Sequence, residues 1–234
     1  MQGKDPTNYL YTPAAPTYYA TYGHRSAGLL SREEKFNLAI AMGALTLCLT
    51  MVMRGGLMFL IPDLSKKPFV IVFTAVVAGA TTATGFALHE LAHKFVAQHY
   101  GCWAEFRYST QGLFIALFTA AIGFLFAAPG AVYIAGNVGK RENGIISIAG
   151  PLTNVVVAVA MLPVAILFNP SLIAYAAITV AYFNAFLAAF NMIPIMPLDG
   201  AKVARWSLPI YVASLLLMVG LLAYTFIIQP SILP

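Results

Sequence analysis

The chain has 234 residues, of which 60% are hydrophobic and only 9% are Asp, Glu, Lys or Arg, and its formal net charge is +5. Soluble domains carry about 25% charged residues. A soluble globule of this length is therefore excluded, and long apolar runs must face lipid. The positive balance fits basic loops at a membrane surface, and no nucleic-acid partner is implied.

Residues 1–30 are polar, rich in Tyr and Pro, and lack the apolar core of a cleavable signal. They are expected to form a flexible cytoplasmic leader, with residues 31–234 as one integral membrane domain. A first spanning helix is predicted over 36–60. Ser31 is placed to cap it, with Glu33 and Glu34 in the first turn, and Gly55 and Gly56 are expected to bend its end. A loop is predicted over 62–67. The second helix is expected to start after Pro68 and to run to Tyr100, with Gly101 as its stop. Residues 103–108 and 131–134 read as β-like. Residues 113–126 between them are apolar but brief. Further spans are predicted over 144–168, 172–193 and 207–228, with a tight turn at Asn169 and Pro170. Cys48 and Cys102 match no metal or disulfide pattern and read as reduced, structural residues.

Positive charge decides whether 113–126 crosses the membrane. If it does, six spans divide the 13 Lys and Arg 6 against 7. If it dips in and returns, the division is 10 against 3, with only Arg54, Lys66 and Lys67 opposite. The expectation is therefore an all-α polytopic membrane protein of five transmembrane helices. A short β-like and re-entrant segment lies between the second and third. The N-terminus and the ten charges face the cytoplasm, with Lys94 and Lys202 snorkelling to the headgroups.

The strongest local signal is His89-Glu90-Leu91-Ala92-His93. Residues four apart on a helix lie about 40° apart in projection, so both imidazoles can grip one Zn²⁺. Glu90 falls near the same face, placed to act as general base towards a zinc-activated water. Ionisable residues inside a membrane are costly and point to function. A hydrolytic zinc commonly has a third protein ligand, and four candidates exist. His99 completes a metzincin-like spacing, but Val96 stands where that motif needs Gly, and on a straight helix His99 faces away. Glu105 follows His93 too closely, in a β-like stretch. Glu142 lies among Lys140, Arg141 and Asn143 and reads as a solvated charge. Asp199 follows a segment broken by Pro194 and Pro197, the irregular backbone tolerated at membrane depth where it lines a cavity. Asp199 is favoured. It can meet His93 only if two spans separate them, as the five-span topology provides.

At these residues the sequence resembles the site-2 proteases, a family of intramembrane zinc metalloproteases. His89-Glu90-x-x-His93, then Ala149-Gly150-Pro151-Leu152 with Asn154, and then Asn191 through Pro194 and Pro197 to Asp199-Gly200 carry the resemblance, which covers residues 74–203. It implies one zinc per chain on His89, His93 and Asp199, with Glu90 as catalytic glutamate. It also implies that Asn191 and Asn154 contact substrate or stabilise the oxyanion. For Asn154 an interhelical hydrogen bond is the alternative, and Gly150 with Pro151 reads as structural. The implied partner is a transmembrane protein substrate, unwound for cutting in a site open to the cytoplasm. A zinc-binding or zinc-transporting membrane protein without peptidase activity is the competing function.

Overall fold

The computed structural model describes residues 30–126 and 128–232. The leader expected over 1–30 thus lies, but for Leu30, outside the described residues. Ser31 caps α1 (Arg32–Met53), its hydroxyl accepting from Glu34 N at 3.0 Å. The helix stops at Met53 rather than near 60. Gly55 and Gly56 take φ of +81° and +101°, left-handed backbone through which an α-helix does not continue. A Cβ on Gly56 would also stand 2.8 Å from Ala121 O. In place of the expected helix end and loop, a separate helix α2 (Leu57–Lys66) follows, clasped back by an Arg54–Asp63 ion pair. That hydrogen bond holds the Asp63 carboxyl below its ordinary value.

The second span is continuous over 32 residues, about 48 Å at 1.5 Å per residue. It is built from α3 (Pro68–Thr82), a π-helical turn (Ala83–Ala87) and α4 (Leu88–His99). The wider turn sits one turn before the two histidines. Two fully buried asparagines hold it: Asn154 donates to Gly85 O at 2.9 Å and Asn184 to Thr84 Oγ1 at 3.1 Å.

β1 (Trp103–Tyr108) and β2 (Gly130–Ala135) pair antiparallel, with Phe106 opposite Val132. The N–H groups of Phe106 and Tyr108 point away from β2 and are accepted by side chains of α1, Glu34 Oε1 at 3.0 Å and Asn37 Oδ1 at 3.4 Å. That closes the outer edge of β1. In this alternating register the backbone groups of Val132 and Ile134 are directed to the outer edge of β2, which borders no further strand among the described residues.

Between the strands, α5 (Thr110–Ala121) is 12 residues long. At about 18 Å it falls short of the roughly 30 Å hydrocarbon core. The chain then returns alongside it. Thr119 Oγ1 accepts from Phe126 N at 3.1 Å, and Ser109 N donates to Pro129 O at 2.8 Å. The segment thus leaves and rejoins the sheet at one place. Five helices are long and apolar enough to span, as expected.

After β2 come α6 (Lys140–Leu167), α7 (Leu172–Asn191), α8 (Asp199–Trp206) and α9 (Leu208–Ile232). Ser171 caps α7 by accepting from Ala174 N at 3.2 Å. Buried Ala174, Ala177, Ala181, Ala185 and Ala188 recur at helical spacing along α7, small residues that let its backbone approach the neighbouring helices. α7 packs against both α6 and α9.

Candidate active site

α4 and α6 meet in a matched register. His89 and His93 are four residues apart on α4. Ile146, Gly150 and Asn154 are each four apart on α6, so they share one face. His93 Nδ1 lies 2.7 Å from Ile146 O, and His89 Nδ1 lies 2.8 Å from Asn154 Oδ1. Between them Gly150 makes room for the rings: a Cβ there would stand 2.5 Å from His93 Nε2 and 2.6 Å from His89 Nε2. Gly150 thus lines the site itself, beyond the helix-start role its sequence context suggests.

These partners fix the tautomers. A backbone carbonyl only accepts, so His93 Nδ1 carries the hydrogen. Gly85 O likewise obliges the Asn154 amide to place its nitrogen there and its oxygen towards His89. His89 Nδ1 therefore donates as well. In the neutral rings both Nε2 atoms are then bare, and they face each other at 3.0 Å.

Asp199 comes from the other side. It opens α8, whose backbone is docked at both ends. A side chain on Gly200 would run into the Met192 carbonyl at the end of α7, and one on Gly144 of α6 would stand 2.5 Å from Trp206 Cβ. Asp199 Oδ2 is thereby brought 3.1 Å from His93 Nε2 and 3.5 Å from His89 Nε2. Its other oxygen accepts from Lys202 Nζ at 3.2 Å. Lys202 is therefore turned to Asp199 rather than to the headgroups.

Three ligand atoms thus form a triangle with sides of 3.0, 3.1 and 3.5 Å. Tetrahedral zinc with bonds of about 2.0–2.1 Å has ligand–ligand edges of about 3.3 Å. Two bare imidazole nitrogens and a carboxylate oxygen, all buried, suit a divalent cation, and His89, His93 and Asp199 would hold it. No second such group of His, Cys, Asp and Glu occurs among the described residues.

The other sequence candidates fall elsewhere. Glu90 is half-buried on α4 beside His89. Asn191, at the end of α7, donates back to Leu187 O at 3.0 Å and is not drawn into the cluster. Asn154 supports His89 through a bond between helices, with both ends of its amide engaged. His99 is exposed at the end of α4, Glu105 bonds Ser31 and Arg107, and Glu142 lies in the first turn of α6. Lys94 is buried, not snorkelling: at 2% exposure it pairs with the fully buried Glu34 of α1. The support at Ile146 carries no signal in isolation, and Gly150, though part of a motif that carries the resemblance, reads there as structural. Their spacing of four with Asn154 marks one helix face, but only the fold shows which helix it meets.

Two curated proteins of Methanocaldococcus jannaschii resemble the chain. One, provisionally named a zinc metalloprotease, is 39% identical over 176 residues, 74% of this chain and 89% of the relative. The second, named a zinc metalloprotease, is 28% identical over 138 residues, 58% of this chain and 33% of the relative's length. No family model and no solved structure matches significantly. A relative this similar over most of both chains carries the assignment that the buried His-His-Asp cluster already favours: the chain belongs to the same family of zinc metalloproteases.

Proposed function

We propose that the chain is an intramembrane zinc endopeptidase of the site-2 protease kind, hydrolysing peptide bonds of transmembrane substrates. The observation that carries this reading is the triangle of His89 Nε2, His93 Nε2 and Asp199 Oδ2, set among helices long and apolar enough to span a bilayer. When bound, zinc supplies Lewis acidity, lowering the pKa of water towards 7 and polarising the scissile carbonyl. Glu90 lies about 60° around α4 from His93. Its carboxylate takes the proton from the attacking water and passes it to the leaving amine. Asn154 and Ile146 O keep both Nε2 atoms bare for the metal. The resemblance assigns Asn191 the substrate contact, the amide hydrogen not given to Leu187 O donating to the developing oxyanion.

A peptide bond in a helix is shielded by its own hydrogen bonds, so the substrate must be extended before it is cut. The outer edge of β2 suits an extended segment by strand addition. Glu34 and Asn37 close β1, which leaves the backbone groups of Val132 and Ile134 as the open edge. Both side chains pack against the buried cluster of Ala97, Cys102, Ala104 and Ile146, and the carbonyl of Ile146 holds His93. The pairing edge and the zinc site thus border one apolar cluster.

The test is purification followed by metal analysis and an assay on a helical membrane substrate, wild type beside Glu90→Gln. Both should bind about one zinc per chain. Cleavage should fall by about 10²–10⁴-fold in the variant, since an amide cannot take the proton. Zinc binding without cleavage by the wild type would favour the zinc-transport reading. Appreciable cleavage by Glu90→Gln would assign the base elsewhere.

A further inference from the structure

The two carboxylate oxygens of Asp199 have different partners. Oδ2 faces both histidine nitrogens, at 3.1 and 3.5 Å, whereas Oδ1 accepts from Lys202 Nζ at 3.2 Å. Lys202 follows Asp199 by three residues, so the two share a face of α8. An exposed pair at this spacing contributes little. Here the side chain of Asp199 is only 10% exposed and that of Lys202 31%, and the acceptor is a candidate metal ligand.

A carboxylate can hold a divalent ion through one oxygen or through both. Using both consumes a coordination position, whereas a hydrolytic zinc needs one open for water or substrate. The backbone does not settle the choice. Gly200 against Met192 and Trp206 against Gly144 fix α8, but the last torsion of an Asp side chain is broad and nearly two-fold. Rotation about it trades Oδ2 for a position in which both oxygens face the histidines. What opposes that rotation is the charge-assisted hydrogen bond from Lys202 to Oδ1.

We propose that Lys202 is a positioning residue that keeps Asp199 in one-oxygen coordination, so that the fourth position of the metal stays open. This rests on the zinc reading of the His89, His93 and Asp199 cluster. Lys202 acts through Asp199 and is given no contact with substrate.

The probe is Co²⁺ in place of zinc in the purified full-length chain, because its visible absorption reports coordination number whether or not the enzyme is active. Wild type should show the intense bands of a four-coordinate site. Lys202→Arg, which keeps the charged donor, should preserve them. Lys202→Met should bind cobalt but lose intensity several-fold as Asp199 closes onto the metal through both oxygens. Lys202→Ala gives the same comparison where Lys202→Met is not recovered folded. A four-coordinate spectrum in the folded Met or Ala variant at full cobalt occupancy would overturn the proposal. So would loss of cobalt binding by the folded variant, since lysine would then hold the ligand set rather than its mode. Failure of the wild type to take up cobalt or zinc would strike the zinc reading instead.

Discussion

Asn154 Oδ1 lies 2.8 Å from His89 Nδ1, and the other end of the same amide donates to Gly85 O at 2.9 Å. One side chain thus ties a zinc-ligand candidate to the π-helical turn that precedes it. Losing the partner of a ligating histidine costs about 10–100-fold in metal affinity. Asn154→Leu should weaken zinc by that factor in chelator competition. Circular dichroism should show the fold retained, since leucine keeps the branched outline of asparagine, though with more bulk, and needs no partner in an apolar bundle. Unchanged affinity would make Asn154 a packing residue only.

How much of this was legible in the chain depended on range. The histidine pair was legible because its geometry is local, four residues on one helix. Asp199 became legible through counting spans, and the five-span count rested on charge asymmetry rather than on the apolar character of 113–126. The end of α1 was not legible. Residues 57–61 are as apolar as the span before them, and only the positive φ of Gly55 and Gly56 separates α2. Lys94 read as an interfacial lysine because its partner, Glu34, stands sixty residues away on another helix. The π-helical turn has no periodic signature of its own. It is held by Asn154 and Asn184, from helices that sequence order does not place beside it.

Gly150 offers a sharper steric test than any ligand substitution. Its missing side chain is the space where the two Nε2 atoms converge, with a Cβ 2.5 and 2.6 Å from them, well inside van der Waals contact. The neighbour is paired imidazole locked by Ile146 O and Asn154, not a flexible chain end that can swing aside. Gly150→Ala should therefore lose zinc, although alanine is the better helix former and α6 itself should be undisturbed. Metal analysis beside circular dichroism separates the two effects. Full zinc occupancy with retained helicity would show that the rings have room the distances deny them.

The last prediction concerns the side from which water reaches the site. Hydrolysis consumes water and hydrocarbon holds almost none, so a polar passage must open to one face. Ser109 N bonds Pro129 O at 2.8 Å and α5 is too short to span. The segment between β1 and β2 therefore returns to the side it left, and Thr110 and Asn137 should face the same compartment. The 10-against-3 division of Lys and Arg predicts that this compartment is the cytoplasm. Lys66, in α2 beyond the far end of α1, should face the other. Single cysteines at these three positions, all exposed, answer the question in a background without Cys48 and Cys102. Ser109 is left intact because its hydroxyl caps α5 by accepting from Gly112 N at 3.1 Å. A membrane-impermeant maleimide applied to sealed, oriented vesicles should reach Thr110→Cys and Asn137→Cys from the cytoplasmic face only, and Lys66→Cys from the opposite face only. Labelling of positions 110 and 137 from opposite faces would mean that the segment between β1 and β2 crosses the bilayer once. Three spans would then separate His93 from Asp199, and the two could not lie at the same depth from the same side as the triangle requires. Labelling of both from the outer face would keep the five spans but invert the chain, placing the zinc site and its water on the extracytoplasmic side.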